Sequence, residues 1–321
     1  MQAYRDVLTI GETMVIFQSH QLGSIENIAS MSLKIGGAES NFAIGLARLG
    51  ESVEWISQLG KDSFGSLILK RVRGEGVQTN HVVFSDIGPT GLLFKEQITT
   101  DMMNVYYYRK DSAASHMTKE IVNNVSFENL KFLHVTGITP ALSDSCYELT
   151  MHAIQLAKQQ GAKIIFDPNI RFKLWSKEKA YKVLHEISAL SDYILVGGEE
   201  ASFLTNLQEP LEMCEKLKTK YDQVIVLKCG ETGCYVYDGE LYHVPGFPVK
   251  AVVDTVGAGD AFAAGFTHGL LQGRNMKECA KIGNAMGAFV IQQFGDIEGL
   301  PTKEVLYAFL ENGKETSDVI R

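Results

Sequence analysis

The residues best suited to chemistry lie in one stretch, Asp254-Thr-Val-Gly-Ala-Gly-Asp260-Ala-Phe-Ala-Ala-Gly-Phe266, where small residues between two carboxylates run into an apolar helical pattern. Gly257, Ala258 and Gly259 would bring backbone N–H groups close to an anion at a helix start, where unsatisfied donors and the helix dipole favour negative charge. Asp260, in the first turn, is then either a carboxylate that the dipole favours or a general base beside a phosphate site. A base must reach a substrate hydroxyl while adjacent amides stabilise a transferring phosphoryl group, and this stretch offers both.

A second glycine segment, Gly36-Gly37-Ala38-Glu39-Ser40-Asn41, precedes the amphipathic FAIGLARLG. It is either a turn capped by Ser40 or Asn41, or a place where backbone approaches a polyhydroxylated ligand, with Asn41 offering both a donor and an acceptor. A Walker GxxxxGK[ST] is absent, as is GxGxxG after the first apolar run, so neither the P-loop nor the dinucleotide fold is indicated. In Asp167-Pro-Asn169-Ile-Arg171, Pro168 stops an apolar run and puts Asn169 and Arg171 on the loop at a strand's C-terminal end, the ligand side of an open α/β sheet. In Tyr107-Tyr108-Arg109, strand alternation puts Tyr107 and Arg109 on one face. Arginines from two sides of a cleft suit an anionic substrate, because a guanidinium grips a carboxylate with two bonds; pairing with surface acids is the alternative.

These residues need a scaffold. Short apolar runs at 7–10, 53–59, 132–135, 163–166, 193–196 and 224–227 suit strands buried on both faces. Helical patterns at 40–49, 64–73, 145–160, 178–190, 199–204 and 210–221 alternate with them, several ending at Gly50, Gly74 or Gly161. That alternation predicts a mainly parallel sheet covered on both faces. Residues 14–35 and 91–109 break the rhythm and predict a small antiparallel lid that emerges twice from the core, its second hairpin turning near 100–104, with a cleft beneath it. Toward the C-terminus, 233–247 reads as a hairpin turning at Asp238-Gly239, followed by helices near 259–272, 276–293 and 302–311.

The 321 residues, 45% hydrophobic and 21% charged, suffice for a sizeable core. Thirty Lys and Arg against 38 Asp and Glu leave a net charge of −8, which offers no long-range attraction to nucleic acid or anionic membranes. Five scattered cysteines suggest neither a disulfide framework nor a zinc site and fit a reducing cytoplasm; no apolar run approaches a membrane span.

Together the GG…N and DTxGAGD segments resemble the paired signatures of the ribokinase-like, phosphofructokinase-B type carbohydrate kinases, in the same order and separation. The resemblance implies a doubly wound α/β kinase domain over residues 1–321 with a discontinuous β lid, and ATP- and Mg²⁺-dependent phosphorylation of a hydroxyl. Asp260 matches the family's base and Gly257, Ala258 and Gly259 its anion hole. Glu200 matches the acid that positions Mg²⁺ through water, although Gly197 stands where the family's NxxE motif has its asparagine. Lys228, Gly230 and Gly233 match the strand and turn flanking the nucleotide, and Asn284 a position facing adenine. Some relatives have a potassium site near the residues matching Asp254 and Val256.

Tyr107, Arg109, Asn169 and Arg171, with Gly36, Gly37 and Asn41, look like the branch that phosphorylates 2-keto-3-deoxygluconate at its 6-hydroxyl, although Leu93 stands where that branch often has an aromatic residue. Fructokinases share the first strand, GGAESN and a lid arginine, and are the nearest alternative; Glu12 would contact sugar hydroxyls in either. A nucleoside kinase and a non-catalytic sugar sensor are further alternatives. Unpaired lid strands suggest a homo-oligomer formed through the lid.

Overall fold

Runs such as Val-Leu-Thr-Ile and Val-Ile-Val-Leu-Lys have no polar face to offer water and become the inner strands of a covered sheet. The computed structural model describes residues 5–19, 21–99 and 102–312. Its strands are β1 (Val7–Ile10), β2 (Met14–Gln18), β3 (Ser32–Gly36), β4 (Val53–Ile56), β5 (Gln58–Gly60), β6 (Val83–Ser85), β7 (Leu92–Thr99) and β8 (Met102–Tyr108). After these come β9 (Phe132–Thr136), β10 (Lys163–Asp167), β11 (Tyr193–Gly197), β12 (Val224–Lys228), β13 (Gly233–Tyr237) and β14 (Leu241–Pro245). The helices are α1 (Ala38–Arg48), α2 (Ser63–Gly74), α3 (Thr139–Leu142), α4 (Asp144–Gln159) and α5 (Lys177–Leu190), then α6 (Gly198–Thr205), α7 (Pro210–Leu217), α8 (Ala258–Leu271), α9 (Met276–Val290) and α10 (Lys303–Asn312).

The main sheet has the order β14-β13-β12-β11-β10-β9-β1-β4, parallel from β4 to β12 and antiparallel in its last two pairs. Alternation divides each central strand between two cores. Val7, Ile165, Leu195 and Val226 pack with α1, α8 and α9, while Leu8, Ile164, Ile194 and Ile225 pack with α4, α5 and α7. From β1 the chain steps to β4 on one side and later to β9 on the other. The order therefore reverses beside β1, and a crevice opens at the strands' carboxyl ends.

A second sheet of four strands, β3-β2-β7-β8, is built from the two stretches that interrupt the βα rhythm. It is mixed rather than wholly antiparallel: β2 and β7 run parallel, because the chain returns from the core between them. The expected turn near 100–104 lies partly outside the described residues, and β8 already begins at Met102. The expected strand at 53–59 divides at Ser57, whose carbonyl accepts from the Val83 N–H (3.0 Å), and β5 joins β6 in a separate pair. Helix α2 ends at Gly74, as expected, and the left-handed residue beyond it is Gly76, with φ of 87°. Helix α7 stops at Leu217, well short of 221, where the backbone turns extended and Gln223 Oε1 takes the Thr219 N–H at 2.7 Å.

Candidate active site

Five strands end at one place. Beyond β1 stands Glu12, beyond β9 Ile138, at the end of β10 Asp167, at the end of β11 Gly197 and at the end of β12 Lys228, all lining a cleft of about 390 Å³. The small sheet covers it with Leu93, Lys95, Val105 and Tyr107, and Arg109 follows just past β8. Gly36, Gly37 and Asn41 enter from the start of α1, and Gly257, Gly259 and Asp260 from the start of α8.

Gly36, Gly37 and Gly257 of the two signatures stand where a side chain would collide. Gly257 is the N-cap of α8 at φ of 83°, and a Cβ there would lie 2.6 Å from the Asp296 carbonyl oxygen. At Gly36 a Cβ would run into the Asp296 carboxylate and the Ile16 side chain. In the first turn of α8 the Ala258 N–H reaches the Thr255 carbonyl at 3.4 Å and the Ala261 N–H the Gly257 carbonyl at 2.9 Å, while Gly259 and Asp260 line the cleft at the helix end, where N–H groups lack a carbonyl one turn back.

Asp260 and Asn41, 219 residues apart, meet directly: Asn41 Nδ2 donates to Asp260 Oδ2 at 2.8 Å. Burial pushes the Asp260 carboxyl up to about 8, with Asp167 and Asp296 adding to the rise while Asn41 and Lys228 oppose it. A carboxyl there releases its proton near neutrality, the range suited to a general base.

Lys228 Nζ pairs with Asp167 Oδ2 at 2.6 Å. Burial alone would lower the lysine, yet Asp167 and Glu200 outweigh it and hold the ammonium above its ordinary range. The second Asp167 oxygen, Oδ1, is buried without a partner. Glu200 accepts from the N–H of Ile170 (2.7 Å) and of Gly197 (2.9 Å), and burial, reinforced by Asp167, raises its carboxyl.

At the other end of the cleft Arg109 Nε donates to Glu12 Oε2 at 2.7 Å, and Ser112 donates to Glu12 Oε1 at 2.6 Å, all three buried. Arg109 and Glu12, both expected at the substrate, are thus paired with each other in the cleft. Tyr107 lies beside them, its ring centre 5.9 Å from the Arg109 guanidinium carbon. Asn169, in the left-handed region at φ of 38°, and exposed Arg171 complete this end, and no carboxylate among the described residues pairs with Arg171.

Four expected residues stand apart. Asn284 spends its amide nitrogen on the carbonyls of Val244 and Pro245, both at 3.1 Å, tying α9 to β14 instead of facing the cleft. Gly230, in the turn after β12, and Gly233, which opens β13, have φ of 59° and 100°, where glycine is favoured, and line none of the cleft. Ala258 is also absent from the lining, as its backbone rather than its side chain faces the helix start.

Sequence reading missed Asp167, Lys95 and Asp296. Lys95, on β7, is buried between Asp296 Oδ1 (2.9 Å) and Asp254 Oδ2 (3.1 Å), joining the small sheet to the segment before α8. Those carboxylates hold the lysine above its ordinary range against the pull of burial; for Asp296 itself burial wins and its carboxyl rises. Alternation along β7 was the available signal, because Leu93 and Lys95 share a face.

Residues 5–303 match the pfkB family of carbohydrate kinases. The chain is 38% identical to the 2-dehydro-3-deoxygluconokinase of Bacillus subtilis (strain 168), over 95% of each chain. A solved PfkB protein from Polaromonas sp. JS666 superposes with a TM-score of 0.87 at 35% identity, covering 95% of this chain and all of that one. A fructokinase from Vibrio cholerae O395, solved with fructose, ADP and calcium, superposes with a TM-score of 0.86 at 26% identity, covering 95% and 99%. The ribokinase-like α/β fold, the glycine-flanked helix start and these likenesses converge: the chain belongs to the pfkB family of carbohydrate kinases.

Proposed function

We propose that the protein transfers the γ-phosphoryl group of ATP to the 6-hydroxyl of 2-keto-3-deoxygluconate (2-dehydro-3-deoxygluconate), giving the 6-phosphate and ADP. The observation that carries the reading is the contact of Asn41 with Asp260 beside an open helix start, which supports a hydroxyl and a phosphoryl group meeting at one carboxylate. In this reading Asp260 takes the hydroxyl proton, and the Gly257, Ala258, Gly259 and Asp260 segment steadies the charge on the phosphoryl group in flight. Asn41 keeps the carboxylate aimed, and Gly36 and Gly37 leave room for the sugar beside it. The small sheet acts as the lid, its Leu93, Val105 and Tyr107 keeping water from the phosphoryl group.

Mg²⁺, which arrives with the nucleotide, supplies charge neutralisation for its phosphates. The acids suited to it are Glu200 and Asp167. Glu200 would act through water, because both of its oxygens already accept backbone N–H bonds, while Asp167 Oδ1 is free to face it. Potassium fits less well near Asp254, whose oxygens are engaged by Lys95 and by the Val256 N–H (3.0 Å), so the lysine already supplies positive charge there.

Recognition of the sugar acid falls chiefly to Arg171, the cleft arginine without an acid, with Asn169 and Tyr107 beside it. The Arg109–Glu12 pair supports the second reading, a fructokinase, since a neutralised pair suits a polyol as well as an acid. The test is ADP release with Mg-ATP over a panel of 2-keto-3-deoxygluconate, fructose, ribose and adenosine, for the wild type and Arg171→Ala. Selective turnover of the sugar acid, with KM raised about tenfold or more in the variant, is expected. Turnover of fructose that the substitution leaves unchanged would overturn the substrate.

A cytoplasmic setting belongs to the same proposal, and the five free cysteines support it. So does a homo-oligomer formed through β8, the outer strand of the lid, which exposes Met102, Tyr106 and Tyr108. Light scattering at a monomer mass would reject the oligomer.

A further inference from the structure

Each cation of the cleft faces a different duty. Lys95 is locked between two aspartates beneath the lid, Arg109 is neutralised by Glu12, and Arg171 lies exposed at the sugar end. Lys228 is different. It ends β12 directly beside the start of α8, where a Cβ on Gly259 would stand 3.5 Å from its Nζ and 4.0 Å from Asp167 Oδ2. The missing side chain at Gly259 thus leaves the ammonium facing the same space as the first-turn N–H groups. The surrounding acids, Asp167, Glu200 and Asp260, keep it charged, and it in turn opposes the rise at Asp260. A tetraanionic nucleotide entering among three carboxylates needs a positive partner on the protein, and the Lys228 ammonium stands beside Gly259 in the first turn of that helix.

We infer that Lys228 is a catalytic residue whose ammonium donates to a non-bridging oxygen of the γ-phosphoryl group during transfer, with Asp167 as the positioning residue that aims it. The inference rests on the reading of Asp260 as the base. In the step, the substrate hydroxyl oxygen bonds to phosphorus, the bond from phosphorus to the β,γ-bridging oxygen breaks and its electron pair leaves with ADP. The hydroxyl proton passes to Asp260, and Lys228 keeps all of its protons. With three N–H donors, the ammonium can hold Asp167 and the phosphoryl oxygen together. Charge that grows on the phosphoryl oxygens in the transition state is what such a donor serves, so its effect belongs to kcat more than to nucleotide affinity.

The experiment compares wild type, Lys228→Met, Lys228→Arg and the double variant Lys228→Met/Asp167→Asn in steady-state kinetics, with melting temperatures alongside. It is run on whichever panel sugar the wild type phosphorylates, so a wrong substrate and a wrong role for Lys228 give separate results. Lys228→Met is expected to lower kcat about 10²–10³-fold while KM for ATP stays within about threefold. Its kcat/KM profile should rise at higher pH than in the wild type, because a charge that favours ionised Asp260 is gone. Lys228→Arg should recover part of kcat. The double variant removes both members of the ion pair, so Asp167 is not left as an unpaired carboxylate, and should stay as slow as the single one. A raised KM for ATP with kcat intact would make Lys228 a nucleotide anchor only, and wild-type kcat in the double variant would make the pair merely structural; either result overturns the inference.

Discussion

The two ends of the cleft are built differently. At the proposed phosphoryl end a single turn of α8, in which Gly257 adopts positive φ and Asp260 follows three residues later, stands beside the Lys228–Asp167 pair. At the sugar end the parts are side chains from β1, the lid and the loop after β10, already paired with one another in Glu12, Ser112 and Arg109. A helix start presents donors to any phosphoryl group whatever sugar is bound, so this end can serve a whole family. In the proposed reading the sugar end would hold its ligand through side chains rather than backbone, so replacing a single partner should change what is bound more than how phosphate moves.

Substitutions can separate the two ends. The largest effect is expected at Asp260→Asn, which should lower kcat about 10²–10⁴-fold with little change in KM for either substrate. Lys95→Met should act on stability, costing about 3 kcal/mol by stranding Asp254 and Asp296 in a buried place, as read by chemical denaturation. Gly257→Ala forces a Cβ toward the Asp296 carbonyl at positive φ and should cost about 1–3 kcal/mol together with a loss of kcat. A similar loss of kcat from a substitution at Glu12 or Arg109 would erase the contrast between the ends.

The smallest effect concerns pH. The folded Asp260 carboxyl lies at about 8, above its unfolded value of 3.8, so between these the folded state holds a proton that the unfolded chain has released. Its burial therefore costs stability as pH rises through that window. Without ligands, Asp260→Asn should melt higher than the wild type at pH 8, by on the order of 1 kcal/mol, and the gap should shrink toward pH 5. A constant gap across that range would mean that Asp260 does not titrate there.

Legibility followed the same division. The α8 turn could be read from its own residues, and so could the apolar runs of β1 and of β9 to β12, because backbone geometry and burial on both faces leave local marks. The contact between Asn41 and Asp260 has no local mark, since only the crossover at β1 brings α1 and α8 together. Lys95 sits in Leu-Leu-Phe-Lys-Glu-Gln, which reads as an exposed strand edge until the core carboxylates beneath the lid are known. Asn284 matches an adenine-facing position only through the family resemblance, and its amide nitrogen here donates to two carbonyls at the end of β14. Asp167 opens the Asp-Pro-Asn-Ile-Arg loop in the sequence, but it also closes a buried strand, and a carboxylate there requires a partner, which Lys228 supplies from 61 residues away.

The most direct test follows the sugar itself: wild type and Asp260→Asn are incubated with Mg-ATP and 2-keto-3-deoxygluconate, and the product is identified by phosphorus NMR. A 6-phosphate formed by the wild type and at least about 100-fold more slowly by the variant is the predicted result. Equal rates for the two proteins, or phosphate on another hydroxyl, would contradict the assignment of Asp260 as the base that delivers this sugar's 6-hydroxyl to the phosphoryl group.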